Sequence, residues 1–370
     1  MELKKYTDKP RRALIAFPTD VMGGAERVSY MLALTALRSD DYDEVVCFVL
    51  SRGNSGTLAE LAAHPKCKLI YANARSEKYG LFALAKVCWQ SNYSLAFSSF
   101  THLNAALSFF KKVGILKSSR LVTRESTMIF ERDLGFKGAL VKKLYYLYGG
   151  QDSIVCQTER MESSLNLHTH GKLQAKTVTI PNPVNPLPMV EEPPADPFLH
   201  IPRGIKRIAW CGRLSKVKSP HRAIETIAAL HALGRHDIHL IMIGDGPLRT
   251  ELTALIEMME LEAFVSILGY QDNPMILMAA CDVGLVTSDV EGFPNVILEM
   301  LASGTQGVVT TNCAGGLDEI PGVSVAAENS CRALAEAINQ VLSVENATPN
   351  LSEFLSERAP QRFYERILGR

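Results

Sequence analysis

One stretch, residues 283 to 304, constrains the fold of this chain more than any other. The run from Val283 to Thr287 is apolar and predicts a buried strand. Pro294 favours the first turn of a helix, because its missing N–H would have no partner there, and Gly304 favours the end of that helix. A strand, a loop and a helix in this order form the repeating unit of a parallel α/β sheet.

The same alternation of apolar runs and helix-length segments extends along the first half of the chain. The predicted strands there lie at residues 13–17, 44–50, 67–73, 95–100, 120–125 and 153–158. Because strands that are joined through helices run parallel, the sequence predicts the α/β class with parallel sheets.

The length of the chain and its prolines predict two domains. A chain of 370 residues is long enough for two hydrophobic cores of about 150–200 residues each. Closely spaced prolines between Pro181 and Pro194 can continue neither a helix nor a sheet, so we expect them to link the domains. The first domain is therefore expected to span residues 1–183.

The loop that precedes the helix carries the chemistry of a sugar-nucleotide site. Glu291 lies before the helix and Glu299 lies about one turn inside it, and each carboxylate can accept two hydrogen bonds from hydroxyl groups. The amides of Asn295–Leu298 would point outward at the positive end of the helix dipole, where phosphate binds. Gly292 would let a ligand approach the backbone. Taken alone, two glutamates at this spacing also fit a solvated pair.

The wording of this stretch, E-G-F-P-N-V-I-L-E from Glu291 to Glu299, resembles the E-x7-E signature of retaining glycosyltransferase family four. Other segments resemble that family in the same order along the chain. These are G-G-A-E at 23–26, P-N-P at 181–183, G-R-L-S-K-V-K at 212–218, G-D-G-P at 244–247 and L-G-Y at 268–270. Ser219 stands where the family usually has glycine.

The resemblance implies a GT-B fold, in which two Rossmann-like, doubly wound parallel-sheet domains face each other across a cleft. It assigns acceptor binding to residues 1–183 and nucleotide-sugar binding to residues 184–350. In similar proteins a helical segment that corresponds to residues 351–370 crosses back to the first domain.

The resemblance also implies roles for single residues. Arg213 and Lys218 would stabilise the departing diphosphate, together with the helix N-terminus, without a metal ion or other cofactor. The residues expected to be catalytic are Arg213, Lys218, Glu291 and His102. The residues expected to bind the donor are Gly24, Gly244, Tyr270, Glu291, Gly292, Phe293, Pro294, Asn295, Val296 and Glu299.

A second group of candidates would bind the acceptor. Gly23 lies in a strand-to-helix turn where two adjacent glycines leave room for a ligand. His102, Arg124 and Glu125 follow predicted strands, and ligands of open α/β sheets bind beyond the carboxyl ends of strands. We therefore expect Gly23, Arg124 and Glu125 to contact the acceptor.

The charge of the chain is divided unequally between its two halves. Residues 1–183 hold 25 Lys and Arg against 16 Asp and Glu, a net +9, and the remainder holds 14 against 23, a net −9. The first half should therefore face an anionic partner. No zinc-finger spacing, basic helix or aromatic RNA platform accompanies this charge, so anionic lipid or a lipid diphosphate fits better than nucleic acid. The basic, aromatic segment 136–148 is a candidate membrane-surface helix, although packing inward is the alternative.

Cysteine usage and hydropathy indicate the compartment. The eight cysteines are scattered without a CxxC pair, which is typical of reduced thiols. Neither an export signal nor a run of about 18 apolar residues is evident. The expected location is the cytoplasm, with peripheral attachment to the inner face of the membrane.

The family resemblance implies a retaining, metal-independent glycosyltransferase. It would move a hexose or N-acetylhexosamine from a nucleotide sugar, with UDP favoured, to a lipid-linked glycan during polysaccharide synthesis. A sugar-nucleotide epimerase on the same fold and a non-catalytic sugar-nucleotide-binding subunit remain alternatives. A glycosidase would use two carboxylates without needing the phosphate-binding helix end or the cations.

Overall fold

The computed structural model describes residues 10–53, 56–72, 77–132, 135–185, 196–199, 201–343 and 350–370. The chain divides into two compact units, with boundaries between Pro183 and Val184 and again between Ala359 and Pro360. The last eleven residues belong to the first unit. Most of the expected proline-rich linker, residues 186–195, lies outside the described residues.

The first unit is built on a seven-stranded parallel sheet with the order β3-β2-β1-β4-β5-β6-β7. The strands are β1 (Arg12–Thr19), β2 (Glu44–Ser51), β3 (Cys67–Tyr71), β4 (Tyr93–Ser98), β5 (Ser118–Arg124), β6 (Ser153–Cys156) and β7 (Thr177–Thr179). Strand β1 lies inside the sheet, where Ala13 is paired with Val45 of β2 on one side and with Leu95 of β4 on the other. Its six central residues are all buried, as expected for a parallel strand covered on both faces.

Helices cover both faces of this sheet. They are α1 (Gly24–Arg38), α2 (Ala59–Ala63), α3 (Glu77–Gln90), α4 (Thr101–Lys112), α5 (Gly135–Lys143) and α6 (Glu159–His168), with a 3-10 turn at Leu144–Leu147. One face packs against α1 and α2, and the other packs against α3 and α4. The loops that carry the candidate residues connect the end of a strand to the start of the next helix, so they lie at the carboxyl ends of the strands.

The second unit has a six-stranded parallel sheet with the order β10-β9-β8-β11-β12-β13. The strands are β8 (Lys206–Cys211), β9 (Ile238–Ile243), β10 (Val265–Gly269), β11 (Val283–Val286), β12 (Gly307–Thr310) and β13 (Val323–Val325). The helices are α7 (Pro220–Ala232), α8 (Arg249–Met258), α9 (Pro274–Ala279), α10 (Asn295–Ala302), α11 (Cys331–Ser343) and α12 (Leu351–Glu357). Buried side chains form one apolar cluster on each face of the sheet.

The C-terminal segment is divided differently from the sequence-based expectation. Residues 351–370 were expected to cross back together, but α12 stays with the second unit, because Leu351, Phe354 and Leu355 pack against its core. Helix α13 (Pro360–Leu368) alone joins the first unit, where Phe363 and Tyr364 are buried. No helix within the described residues combines the length and the apolar character needed to cross a bilayer.

Candidate functional site

The strand order of the second unit defines where a ligand would bind. Strands β8 and β11 are neighbours, but the chain leaves β8 toward one side of the sheet and β11 toward the other. The loops after two such strands diverge and leave a crevice at their carboxyl ends, which is where open α/β sheets bind ligands. Residues 212–219 follow β8 and residues 287–294 follow β11, so both predicted donor segments lie at this point.

Two predicted catalytic residues meet at this crevice. The ammonium of Lys218 lies 2.5 Å from Oε1 of Glu291, and the hydroxyl of Ser288 donates to the same carboxylate oxygen at 2.8 Å. The backbone N–H of Glu291 donates to the carbonyl of Cys313 at 2.8 Å. The glutamate is thus held from both its backbone and its side chain.

A polar network connects the two loops behind this ion pair. The carboxylate of Asp289 accepts from the hydroxyl of Ser219 at 2.9 Å and from the guanidinium of Arg222 at 2.9 Å. Arg222 also donates to the carbonyl of Thr287 at 2.7 Å, and the hydroxyl of that threonine lies 2.9 Å from the carbonyl oxygen of Lys218. No separate signal in the sequence points to Asp289 or Arg222, since isolated charges in loops and helices are usually solvated.

Ser219 has an unusual backbone. Its φ of +44° and ψ of +55° lie in the left-handed region, which glycine enters at little cost and other residues enter with strain. The family resemblance leads one to expect glycine at this position, and this backbone conformation is a physical reason for it. Here the hydroxyl of Ser219, bonded to Asp289, offsets part of that strain and fixes the turn between Lys218 and α7.

The start of α10 differs slightly from the prediction. Pro294 is the residue before the helix and not its first residue, and the N–H of Ile297 donates to the Pro294 carbonyl at 3.0 Å. That amide is therefore engaged within the chain and is not available to a phosphate. The helix ends at Ala302, and Gly304 with φ +92° lies just beyond it, as expected for a glycine that ends a helix.

The remaining donor candidates around α10 differ in exposure. Gly292, Phe293 and Pro294 are buried, so a ligand would reach the first two mainly through the backbone. Asn295, Val296 and Glu299 are half-buried.

The loops after β9 and β10 lie next to the loop after β8. A Cβ atom at Gly244, whose φ is +138°, would overlap the carbonyl oxygen of Gly212, so only glycine allows this close approach. The N–H of Gly244 donates to the carbonyl of Gly269 at 2.8 Å, and Tyr270 follows with its side chain 59% exposed. Arg213 is also exposed. The structure thus brings Arg213, Gly244 and Tyr270 to the same carboxyl-terminal end of the sheet as Lys218 and Glu291.

The first unit has an equivalent point between β1 and β4. Gly23 and Gly24 are exposed at the start of α1, where Gly23 is the residue before the helix. The carboxylate of Glu26 folds back over Gly23. Burial raises the pKa of Glu26, while hydrogen bonds from the backbone N–H groups of Glu26 and Gly23 act to lower it. An anionic ligand at these glycines would therefore meet this carboxylate.

His102 lies in the first turn of α4, after β4, and not in an open loop. Its ring is half-buried, with its centroid 6.3 Å from that of Phe100. It shares the β1/β4 point of the first unit with Gly23 and Gly24. Its catalytic role remains a prediction.

Arg124 lies inside the first unit, in contrast to a residue that contacts an acceptor directly. Its side chain is 1% exposed. The guanidinium donates to Ser99 at 2.6 Å and to the side-chain oxygen of Asn182 at 2.6 Å. Burial lowers the pKa of Arg124, while the neighbouring Glu125 carboxylate opposes that shift.

Glu125 is buried in the same way, at 2% exposure. Its carboxylate accepts from the hydroxyls of Tyr145 at 2.6 Å and Tyr148 at 2.7 Å and from the amide of Asn104 at 3.1 Å. Burial raises its pKa, against these three hydrogen bonds. Arg124 and Glu125 therefore form hydrogen bonds inside the first unit. A polar residue at the end of an α/β strand can point into the protein as readily as toward a ligand.

No group of three or more His, Cys, Asp or Glu side chains that could hold a metal ion occurs within the described residues. The arrangement at the second unit consists instead of side-chain cations, a hydrogen-bonded carboxylate and close backbone turns. Such groups can bind a diphosphate and neighbouring hydroxyls.

Two doubly wound parallel-sheet units of this kind are the GT-B architecture of glycosyltransferases. The chain is similar in structure to Anabaena HepE, solved in complex with UDP and glucose, with a TM-score of 0.78 and 17% identity over 98% of this chain and 99% of that one. It is also similar to WaaG, a glycosyltransferase involved in lipopolysaccharide biosynthesis, with a TM-score of 0.65 and 16% identity over 96% and 95% of the two chains.

Residues 196–362 match the family model described as glycosyl transferases group 1. A Campylobacter jejuni relative, an N-acetylgalactosamine-N,N'-diacetylbacillosaminyl-diphospho-undecaprenol 4-alpha-N-acetylgalactosaminyltransferase, is 38% identical over 110 residues, 30% of this chain and 29% of the relative. A Mycobacterium tuberculosis GDP-mannose-dependent alpha-(1-6)-phosphatidylinositol dimannoside mannosyltransferase is 34% identical over 138 residues, 37% and 35% of the two chains. These alignments span well under half of each relative's length.

Proposed function

We propose that this protein is a retaining, metal-independent glycosyltransferase. In this proposal it moves a hexose or N-acetylhexosamine from a UDP-sugar to a lipid-linked glycan. The observation that carries the proposal is the pairing of Lys218 with Glu291 where β8 and β11 diverge, in a unit that matches the glycosyl transferases group 1 family. A cation beside a hydroxyl-binding carboxylate fits a diphosphate attached to a sugar.

Donor binding would replace the ion pair with two new interactions. The diphosphate becomes the partner of Lys218, with the exposed Arg213 as a second cation, and Glu291 accepts from hydroxyls of the sugar. Both cations stabilise the negative charge that grows on the diphosphate as its bond to the sugar breaks.

The reaction needs no nucleophile from the protein. The bond between the anomeric carbon and the phosphate oxygen breaks, and the acceptor hydroxyl oxygen forms a bond to that carbon from the same face. The hydroxyl proton passes to the departing phosphate oxygen. The anomeric configuration is retained. Lys218 and Arg213 stabilise the charge on the departing diphosphate without a metal ion.

The nucleotide of the donor is proposed to be UDP. The similarity to Anabaena HepE, whose structure holds UDP, supports this choice, whereas the mycobacterial relative is named for GDP-mannose. Isothermal titration calorimetry with UDP and GDP distinguishes them, and tighter binding of GDP would overturn the choice of UDP.

The acceptor is proposed to be a glycan on a lipid diphosphate at the inner face of the cytoplasmic membrane. The name of the Campylobacter relative, which contains diphospho-undecaprenol, supports a lipid diphosphate. The net +9 charge of residues 1–183, from 25 basic and 16 acidic residues, supports an anionic surface.

The decisive experiment is a product assay. The protein is incubated with several UDP-sugars and a polyprenyl-diphosphate-linked sugar, and the products are separated and examined by NMR. We expect a lengthened lipid-linked glycan with the donor's anomeric configuration. A new free UDP-sugar would indicate an epimerase, donor binding without any product would indicate a binding subunit, and an inverted linkage would contradict retention.

A further inference from the structure

Helix α3 presents an aromatic face to solvent. The side chains of Tyr79, Phe82 and Trp89 are 65%, 75% and 60% exposed. At about 100° per residue these three residues and Lys86 fall within roughly 80° of the helix circumference. Leu84 and Cys88, on the opposite side of the helix, are fully buried against the sheet. We name Tyr79, Phe82, Lys86 and Trp89 the α3 stripe.

The α3 stripe belongs to a layer with further exposed apolar groups. Helix α3 packs against α4, and α4 packs against the 3-10 turn Leu144–Leu147 that follows α5. The exposed apolar residues added by this layer are Phe109 and Val113 near the end of α4, and Leu140, Tyr146 and Leu147 on α5 and its 3-10 turn. Clustered exposure of large apolar side chains indicates a surface that binds something.

After Glu77, the first residue of α3, the sequence through α4 and β5 is rich in basic residues. From Lys78 to Arg124 the sequence holds seven Lys and Arg and no Asp or Glu. The ammonium of Lys117 lies 4.8 Å from the ring centroid of Trp89, so a cation stands directly beside the stripe. A surface that combines exposed Trp and Tyr with Lys is typical of the boundary between anionic headgroups and acyl chains.

We propose that the α3 stripe inserts into the headgroup region of an anionic bilayer and docks the first unit on the membrane. This inference rests on the proposed function, since it gives the enzyme access to a lipid-linked acceptor. The occupant is a lipid surface because its negative charge complements Lys86 of the stripe and Lys117 beside Trp89, and its interface accommodates Trp and Tyr.

The proposal moves the membrane contact away from the segment expected from sequence. Within residues 136–148, Tyr145 and Tyr148 point inward and bind Glu125. The side chains of Phe136 and Lys137 lie outside the described residues. Within the described side chains, that segment exposes one aromatic residue, Tyr146, whereas α3 exposes three.

Tryptophan fluorescence gives a direct test with the full-length protein. The chain has two tryptophans, Trp89 in the stripe and Trp210, which is 2% exposed and reports on the second unit. Adding vesicles of phosphatidylglycerol and phosphatidylcholine should shift the emission of Trp89 to shorter wavelength, and the shift should be absent from the Trp89→Phe variant. No shift with wild-type protein would overturn the proposal.

Vesicle flotation measures the strength of docking. In the double variant Phe82→Ser, Trp89→Ser, the fraction of protein recovered with the vesicles should fall by about tenfold or more. The reason is that each replaced ring loses its apolar contact with lipid. The double variant Lys86→Glu, Lys117→Glu should lose binding mainly at low ionic strength. Met258→Ser, a 75% exposed apolar side chain on α8 of the second unit, is the matched control and should float like wild type.

Separate readouts distinguish this inference from the proposed function. Transfer to a short-chain, water-soluble acceptor and UDP binding should be unchanged in the Phe82→Ser, Trp89→Ser variant. If transfer occurs but wild-type protein ignores vesicles, the docking inference fails and the enzymatic function stands. If light scattering shows that the wild-type protein is a dimer and that the same double variant is a monomer, the stripe binds a second copy and the lipid assignment is wrong.

Discussion

The ammonium of Lys218 lies 2.5 Å from Oε1 of Glu291, although the two residues follow different strands of the second sheet. Their loops begin side by side because β8 and β11 are neighbours, and the connections then run in opposite directions and leave a crevice. The pair therefore places a cation and a carboxylate side by side before any donor is present. In the proposed reaction, each would exchange this partner for a group of the nucleotide sugar.

Removing the cation tests the diphosphate assignment. Lys218→Ala is expected to lower kcat by about 10²–10³, because the charge that develops on the leaving diphosphate loses a stabilising partner. Lys216→Ala is the matched control. Lys216 is exposed and lies in the same short 3-10 turn as Lys218, which spans Lys216–Lys218. Steady-state kinetics with a UDP-sugar measure both. Near-normal turnover of Lys218→Ala, with an unchanged melting temperature, would remove Lys218 from the mechanism.

Chelation tests the proposed independence from metals. If Lys218 and Arg213 supply the positive charge, dialysis against EDTA should leave kcat within about twofold of its starting value. Product formation before and after dialysis is the measurement. A large loss that Mg²⁺ or Mn²⁺ restores would contradict the proposal.

The left-handed turn at Ser219 leads to a paired stability prediction. Ser219→Ala keeps the strained Cβ but loses the hydrogen bond to Asp289, so its free energy of unfolding should fall by about 1–2 kcal/mol. Ser219→Gly loses the same bond but relieves the strain, and it should be closer to wild type. Urea unfolding compares the three proteins. Equal losses in both variants would show that the backbone strain is negligible.

Particular residues show how far the sequence could be interpreted. Strand β11 and the end of α10 before Gly304 were predictable, because local rules on hydrophobic runs and helix-ending glycines decide them. Gly244 was a candidate only through the family resemblance. The interior position of Arg124 was not, since it depends on Asn182, which is distant in sequence. Similarly, nothing near Asp289 in the sequence points to Arg222. Long-range polar partners are set by the tertiary fold, and one sequence does not specify them.

The buried carboxylate of Glu125 supports a prediction about its tyrosines. Tyr145→Phe removes the hydroxyl that donates to Oε2, which leaves a buried charge with one fewer partner, and the unfolding free energy should drop by about 1–3 kcal/mol. Tyr146→Phe changes the adjacent residue, whose side chain is 83% exposed, and should have no measurable effect. Thermal unfolding followed by circular dichroism compares the two. A Tyr146 variant as unstable as the Tyr145 variant would refute this account.

The attachment of α13 should depend on pH through Asp41. Its carboxylate accepts from the guanidinium of Arg370 at 2.9 Å and from the hydroxyl of Tyr364 at 2.8 Å. The hydrogen bond from Arg370 is the main cause that lowers the pKa of Asp41, with Tyr364 acting in the same direction against partial burial. Since the folded pKa lies below the unfolded value of about 3.9, the stabilisation is present above that pH and is lost as the pH falls through the folded value.

Hydrogen exchange of the α13 amides can measure this effect. At pH 7, Asp41→Asn should exchange these amides faster than wild type, because the charged partner of Arg370 is gone. The difference between the two proteins should shrink as the pH falls below about 4, where wild-type Asp41 also loses its charge. Asp40→Asn is the adjacent control, since that fully exposed side chain makes no contact with α13 that would depend on its charge. A difference that persists unchanged to pH 2 would mean that Asp41 holds α13 through hydrogen bonds that do not depend on its charge, and it would contradict the predicted pH dependence.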